Sequence, residues 1–97
     1  MSKTPIVVTL RLAPSDPAAF MEFLQKILPD TRAAEGCRFN KTCVNDEAGE
    51  VMLVQEWDSL EDQQAYMKWR ESTGVLAEFI GSLSKDPEVH IWELNSA

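Results

Sequence analysis

The sequence contains little of what metal and cofactor sites require. His90 is the only histidine, so one chain cannot assemble a zinc or haem-iron site rich in histidine. It has no Gly-rich nucleotide loop, no Gly-x-Ser-x-Gly elbow and no metal-spaced cluster. We therefore expect neither a cofactor nor a metal ion.

Basic residues are also scarce, since nine Lys and Arg stand against sixteen Asp and Glu, for a formal net charge of −7. Nucleic-acid binding depends on a basic surface that displaces counterions from phosphates, so this balance argues against such a partner. No apolar run approaches the roughly 20 residues that span a bilayer, and we expect no membrane partner. Met1–Pro5 has no long apolar segment and no evident cleavage site, which predicts a cytoplasmic protein without a signal peptide.

Cysteine is limited to Cys37 and Cys43, which are six residues apart and form no Cys-x-x-Cys motif. Without an export signal they are expected to be reduced thiols, with a disulfide or a metal pair as the alternatives. A chain of 97 residues can build one core but not two, so we predict a single domain, 1–97.

The apolar pattern predicts four strands, and their order with the helices indicates the fold. The expected strands are Ile6–Leu12, Cys37–Val44, Val51–Trp57 and Val89–Leu94, with a hairpin turn between the second and third. Helices are expected after the first and third strands. This order is the βαββαβ pattern of an α+β, ferredoxin-like sandwich with its helices on one sheet face.

Local signals mark the helix ends. Asp16 suits the N-cap of the first helix because its carboxylate can accept from free amides, and Pro29 should bend or end that helix. Ser59 opens a capping box for the second helix, which is expected to stop near Thr73, before Gly74. A third, short helix is predicted from a further amphipathic set: Val75, Leu76, Phe79, Ile80 and Leu83.

Strand side chains alternate between two faces, and both faces are apolar here. The set expected under the helices is Ile6, Val8, Leu10, Leu12, Val51, Leu53, Gln55, Trp57, Val89 and Ile91. The opposite set is Val7, Thr9, Phe39, Cys43, Met52, Val54, His90, Trp92 and Leu94. An apolar patch of this size is rare on a monomer, so the second face predicts a homodimer, with His90 in its interface.

Two segments resemble a known family. Gln55-Glu56-Trp57-Asp58-Ser59 resembles the Glu-x-Trp-x-Ser segment of the antibiotic biosynthesis monooxygenase family. Glu35-Gly36-Cys37 followed by Phe39 resembles that family's entry to the second strand. Together with the order of elements, the resemblance covers nearly the whole chain. It implies a dimeric α+β barrel in which two sheets pack face to face.

The resemblance implies a fold more firmly than a reaction. Some members oxidise quinols, anthrones or related polyphenols with O₂ and without metal or flavin, whereas relatives degrade haem, isomerise signalling metabolites or have no assigned activity. This sequence departs from the pattern at Tyr66, where the family usually has histidine, and at Gln55, which replaces glutamate. The missing histidine puts His-dependent proton transfer in doubt. Haem is also disfavoured, because no histidine stands near Leu76.

The second helix carries polar groups on its expected inward face, at Gln63, Tyr66 and Arg70, with Leu60 and Met67 on the same stripe. An apolar cavity with a few convergent polar groups suits a small aromatic ligand. We predict Tyr66, Arg70 and Asn40 as the oxyanion donors. The predicted substrate contacts are Trp57, Gln55, Gln63, Met67 and Thr42.

Each of these residues also has a structural interpretation. Trp57 and Tyr66 can be core aromatics, the tyrosine with its hydroxyl in water. Arg70 can extend to solvent or pair with Glu71 or Asp62, and Asn40 and Gln55 can satisfy the backbone or each other. The predicted function is cofactor-independent oxidation of a quinol-like or polyphenol-like compound with O₂. The alternatives are a non-catalytic small-molecule binder and a dimeric interaction module of the same fold.

Overall fold

The protein's structure is a computed structural model that describes residues 3–97. The predicted domain 1–97 also includes Met1 and Ser2, which lie outside the described residues. The elements, in chain order, are β1 Ile6–Leu12, α1 Pro17–Ala33, β2 Cys37–Asn45, β3 Glu50–Trp57, α2 Leu60–Thr73, α3 Val75–Gly81 and β4 Glu88–Glu93. The predicted order is confirmed, and no strand boundary moves by more than one residue.

The four strands form one antiparallel sheet in the order β2-β3-β1-β4. The central pair, β1 and β3, is in register from Ile6 opposite Trp57 to Leu12 opposite Val51. The connections through α1 and α2 place the helices on one face, as in a ferredoxin-like α+β fold. The predicted fold class is confirmed. In this strand order β2 and β4 are the edge strands.

The helix ends follow the local signals. The Asp16 side chain accepts from the Ala19 amide at 3.1 Å and caps α1. Ser59 Oγ accepts from the Asp62 amide at 3.1 Å and donates to Asp62 Oδ2 at 3.0 Å, which closes the capping box of α2. Gly74, at φ 82°, separates α2 from α3 in a left-handed conformation that suits glycine.

Pro29 was expected to bend or end α1, and Leu83 was expected to belong to α3. Pro29 does not end α1, which continues four residues further to Ala33. Because Pro29 lies on the exposed side of the helix, water can reach the carbonyl that its ring leaves unpaired. Leu83 does not extend α3; it lies beyond Gly81 and forms an isolated bridge with Pro14.

Two clusters of buried side chains form the core under the helices. The larger cluster joins α1 and α3 to the sheet through Leu12, Phe20, Leu24, Leu28, Val51, Leu53 and Phe79. The smaller cluster centres on Trp57, which is 0% exposed and packs with Ile6 and Val8. Tyr66 of α2 packs against this second cluster, so the two clusters border the space beneath α2.

Strand β4 departs from the predicted burial. Its register places Val89 opposite Leu10 and Ile91 opposite Val8, on the face that the helices cover. Both are nevertheless about half exposed, because β4 lies at the sheet edge, beyond the helix layer.

Candidate functional site

A small cavity lies between the sheet and the helices, beneath the middle of α2. Its walls are Leu10, Ile27, Leu28, Thr31, Leu53, Gln55, Tyr66, Met67, Arg70, Val75, Leu76 and Phe79. Its volume is about 50 Å³, well below the roughly 150 Å³ of an apolar cavity that binds benzene. In this conformation the cavity is too small for an aromatic ring.

The polar end of the cavity is a network around Arg70, which is only 4% exposed. Arg70 Nε donates to Tyr66 Oη at 2.7 Å, and Nη2 donates to the Ile27 carbonyl and to Thr31 Oγ1, the latter at 3.4 Å. Thr31 Oγ1 and Tyr66 Oη share a further hydrogen bond of 2.5 Å. The network fixes a cation and two hydroxyl groups at one end of an apolar space.

The Arg70 guanidinium lies between aromatic faces and has one distant carboxylate neighbour. Its central carbon is 4.9 Å from the centre of the Trp69 ring and 5.4 Å from that of Tyr66, within the range of cation–π contacts. Asp30 Oδ2 is 3.8 Å from Nη1, beyond hydrogen-bond length. Arg70 therefore neither extends to solvent nor pairs with Glu71 or Asp62.

Trp57 and Gln55 form a buried pair behind Tyr66. Trp57 Nε1 donates to Gln55 Oε1 at 3.0 Å, and the Trp57 and Tyr66 ring centres are 5.2 Å apart. The two rings are thus in contact, with no cavity between them. Of this pair only Gln55 lines the cavity, while Trp57 supports the tyrosine ring from behind.

The structure brings four of the eight predicted site residues to the cavity wall: Gln55, Tyr66, Met67 and Arg70. The others are Trp57, Thr42, Gln63 and Asn40, and none of them reaches it. Gln63 is buried beside the cap of α2, and Thr42 is half-buried on β2.

Asn40 is buried opposite Gln55, on the helix-covered face of the sheet. Its Nδ2 and Oδ1 find no hydrogen-bond partner within residues 3–97. Its backbone carbonyl accepts from Arg32 Nε at 3.2 Å. One interpretation of the sequence proposed a hydrogen bond between the Asn40 and Gln55 side chains. The structure does not show this bond.

Thr31 and Asp30 also lie at this site, and the sequence did not identify them as site residues. Thr31 follows the apolar spacing of α1, yet its hydroxyl joins Tyr66 and Arg70. Asp30 lies next to Pro29, where the helix was expected to bend or end. The only sequence signal for either is helical spacing carried past Pro29, which places residues 27 and 31 on one face.

A larger, open groove of about 340 Å³ lies on the outer side of Tyr66, between α1 and α2. It is lined by Asp30, Ala33, Ala34, Glu35, Asp62, Ala65, Tyr66 and Trp69. At its rim, Lys3 Nζ donates to Asp62 Oδ2 at 2.9 Å. This hydrogen bond, with help from Ser59, lowers the pKa of the Asp62 carboxyl. Tyr66 lines both the inner cavity and the outer groove.

Among residues 3–97, no three His, Cys, Asp or Glu side chains come close enough together to hold a metal ion. No helix in the same range is long and apolar enough to cross a membrane.

Comparison with known proteins places the chain in a family. Residues 6–78 match the family model described as antibiotic biosynthesis monooxygenase. The chain belongs to this family. No curated protein matches the sequence.

Solved structures of antibiotic biosynthesis monooxygenase type and related proteins share the fold. The Mycobacterium tuberculosis protein Rv0793 is 23% identical, over 96% of this chain and 97% of that one, with a TM-score of 0.78. A candidate antibiotic biosynthesis monooxygenase from Deinococcus radiodurans is 18% identical over 95% and 94%, with a TM-score of 0.81. A dimeric ferredoxin-like protein from an uncultured marine organism is 16% identical over 98% and 91%, with a TM-score of 0.76. At these identities the likeness shows the fold alone.

The segment of this antibiotic biosynthesis monooxygenase domain that enters β2 has a steric role. Gly36 has φ 84°, and a Cβ placed there would lie 2.5 Å from the Asp62 carboxyl group. The Gly36 carbonyl accepts from the Asp58 amide at 2.8 Å. Glycine therefore lets the end of α1 pack against the start of α2, at the groove.

Proposed function

We propose that this chain is a cofactor-independent, monooxygenase-like domain that oxidises a small aromatic compound of the phenol or quinol class with O₂. The observation that carries the proposal is the buried Arg70–Tyr66–Thr31 network at one end of an apolar cavity. Buried donors of this kind stabilise an oxygen anion more strongly than water does, because they are already oriented. Family membership supports the fold of such an enzyme and leaves its substrate open.

The chemistry needs no bound electron carrier if the substrate supplies the electrons. A deprotonated phenol passes one electron to O₂, and the resulting radical pair combines at a ring carbon to give a peroxide. Loss of water then leaves a quinone: a naphthol plus O₂ gives a naphthoquinone plus one water. Tyr66 and Arg70 would stabilise the phenolate in this scheme.

Tyr66→Phe tests the proposal because it keeps the ring and removes only the hydroxyl. With oxygen uptake measured against a panel of naphthols and dihydroxyaromatics, turnover should fall about 10²- to 10³-fold while binding changes little. Thr9→Val is the matched control: it also removes one half-buried hydroxyl, but from the sheet face opposite the cavity, and should leave turnover unchanged. Uptake that survives Tyr66→Phe would remove this hydroxyl from the mechanism.

A second candidate is a binding module without turnover, and one observation favours it. The residues that line the inner cavity, all within the described range, include neither a carboxylate nor a histidine that could take the phenolic proton. Clear binding without oxygen uptake across the panel would favour this module. A dimeric interaction domain remains the third candidate, and it predicts no binding of any panel compound.

We also propose that the chain forms a homodimer through the face of the sheet opposite the helices, which we call the open face. Val7 and Val54 are only half-buried there, and Met52 and Trp92 are exposed. A structural relative described as a dimeric ferredoxin-like protein supports this assembly. Cytoplasmic location stays a prediction from the sequence.

A further inference from the structure

The outer groove offers the space that the inner cavity lacks. Its volume of about 340 Å³ falls within the range of small-molecule sites, roughly 300–1,000 Å³. Ala33 and Ala65 keep its walls low, and Trp69 is 46% exposed beside it. An aromatic ring can therefore enter this groove without any movement of the core and contact the Trp69 and Tyr66 side chains.

At one end of the groove an exposed carboxylate lies in front of the buried Arg70 cation, which lines the inner cavity instead. Asp30 lines the groove, and its side chain is 66% exposed, so water and ligand can reach its carboxylate. The Nη1 group of Arg70 is 3.8 Å from Asp30 Oδ2, and the other guanidinium nitrogens bond to neutral oxygen atoms. Because Asp30 is exposed and its distance to Arg70 is long, the pair contributes little to stability, and the carboxylate is available for other contacts.

We propose that the ligand ring binds in the outer groove against Trp69 and that Asp30 accepts the phenolic proton. The catalytic part of this inference rests on the proposed function. The phenol O–H bond breaks, the proton bonds to an Asp30 carboxylate oxygen, and the electron pair stays on the phenolate oxygen. That oxygen then lies beside the Arg70 cation and the Tyr66 hydroxyl.

This assignment supplies the group that the inner cavity lacks. Aspartate serves as the general base in other enzymes where separate donors stabilise the anion that forms. Here Asp30 and Tyr66 line the groove, and the buried Arg70 joins them from behind: Nη1 is 3.8 Å from Asp30 Oδ2, and Nε is bonded to Tyr66 Oη. The substrate class narrows accordingly to aromatic compounds with a free hydroxyl group, and their ethers are excluded.

Binding tests the hydroxyl contact without any turnover. By titration calorimetry, 1-naphthol should bind the wild-type protein roughly 10-fold or more tightly than 1-methoxynaphthalene, because only the naphthol donates a hydrogen bond to a charged acceptor. Asp30→Ala should abolish that preference. Glu35→Ala is the matched control, since it removes another exposed carboxylate of the same groove and should keep the preference. Equal preference in wild type and Asp30→Ala would overturn the inference.

Turnover tests the proton transfer. Asp30→Asn should slow oxygen uptake about 10²- to 10⁴-fold, the usual contribution of a general base, and its rate should rise with pH as hydroxide replaces the carboxylate. The gap between variant and wild type should close for a nitronaphthol that is already ionised at the assay pH. Glu35→Gln should behave as the wild type does.

The two arms separate the possible failures. If the wild type takes up no oxygen but Asp30 controls the hydroxyl preference, the proposed oxidation is wrong and the groove assignment stands. If Asp30→Asn turns over at the wild-type rate and pH profile, Asp30 is not the base, and the proposed function survives. A gap that persists with the ionised naphthol would likewise rule out proton transfer as the role of Asp30.

Discussion

The two faces of the sheet come from the same strands but reach different states of burial. On β1, Ile6 and Val8 are buried under the helices, whereas their neighbours Val7 and Thr9 are half-buried on the open face. The helices turn one apolar face into a core, and nothing within residues 3–97 does the same for the other. Apolar alternation therefore identifies the faces of a strand, whereas burial depends on what packs against each face.

The open face is also less apolar than the residues predicted for it from the sequence, because charged side chains lie on it as well. Lys41 and Val54 are paired there, Met52 lies opposite Arg11, and Glu56 lies opposite Val7. Charged side chains thus border an apolar centre, a distribution found at many protein interfaces, where a polar rim surrounds an apolar core. The covered face carries no charge at the equivalent positions of β1 and β3.

The two tryptophans of the sheet give the largest test of this comparison. Trp57 is 0% exposed and Trp92 is 59% exposed. Trp57→Ala should lower the free energy of unfolding by about 3–5 kcal/mol, because a buried ring leaves a cavity. Trp92→Ala should cost the isolated protomer less than about 1 kcal/mol. Urea unfolding at low protein concentration measures both, and similar losses would contradict the assigned burial.

A charge on the open face tests the proposed dimer. Val54→Asp should weaken self-association about 100-fold or more, since a carboxylate would be buried without a partner. Gln64→Asp adds the same charge on the exposed side of α2 and should leave the dimer intact. Light scattering measures the mass, and circular dichroism checks that both variants fold. A monomeric wild-type protein at micromolar concentration would refute the interface.

The close packing beside the groove gives the third test. Gly36→Ala should cost about 2–3 kcal/mol, because the new methyl group meets Asp62 and the left-handed backbone itself costs about 1–2 kcal/mol. Gly74→Ala is the matched control: its φ of 82° is similar, but nothing lies within 4 Å of the added carbon. Thermal unfolding should show the smaller loss at Gly74, and equal losses would mean that Asp62 moves aside freely.

Much of the fold could be predicted because its signals are local. Alternation located β1 at Ile6–Leu12, and the Ser59 capping box located the start of α2. Pro29 could not locate the end of α1, because the effect of a proline on a helix depends on its exposure, which spacing does not give. Val89 and Ile91 misled because the edge position of β4 is a property of the whole sheet.

The candidate site was harder to predict, because its contacts join distant segments. Helical spacing put Tyr66 and Arg70 on the inward face, and both reach the cavity. Their partner Thr31 lies 35 residues from Tyr66, and its hydroxyl sits among apolar neighbours where spacing indicates only burial. Trp57 was assigned to the correct face, but only packing shows that Tyr66 covers it.

The smallest predicted effect is the pH dependence of the Lys3–Asp62 contact, at the rim of the outer groove. The hydrogen bond from Lys3 holds the pKa of Asp62 below its ordinary value of 3.8 and raises that of Lys3 above 10.5. The folded state thus binds protons to Asp62 less readily than the unfolded state does. The contact therefore stabilises fully above pH 3.8 and fades as pH falls through the lowered pKa. At the alkaline end it fades as pH rises through the raised pKa of Lys3.

Lys3→Met removes the charge and keeps much of the side-chain stem, so it tests this contact directly. The variant should be slightly less stable than the wild type between about pH 5 and pH 9, and the difference should shrink as pH falls through the lowered pKa of Asp62. Lys26→Met, on the exposed side of α1, controls for the lost charge and should show no such dependence on pH. Urea unfolding at pH 6 and pH 2 measures both differences. A Lys3→Met deficit of the same size at both pH values would show that the Lys3 side chain acts through packing and not through its charge on Asp62.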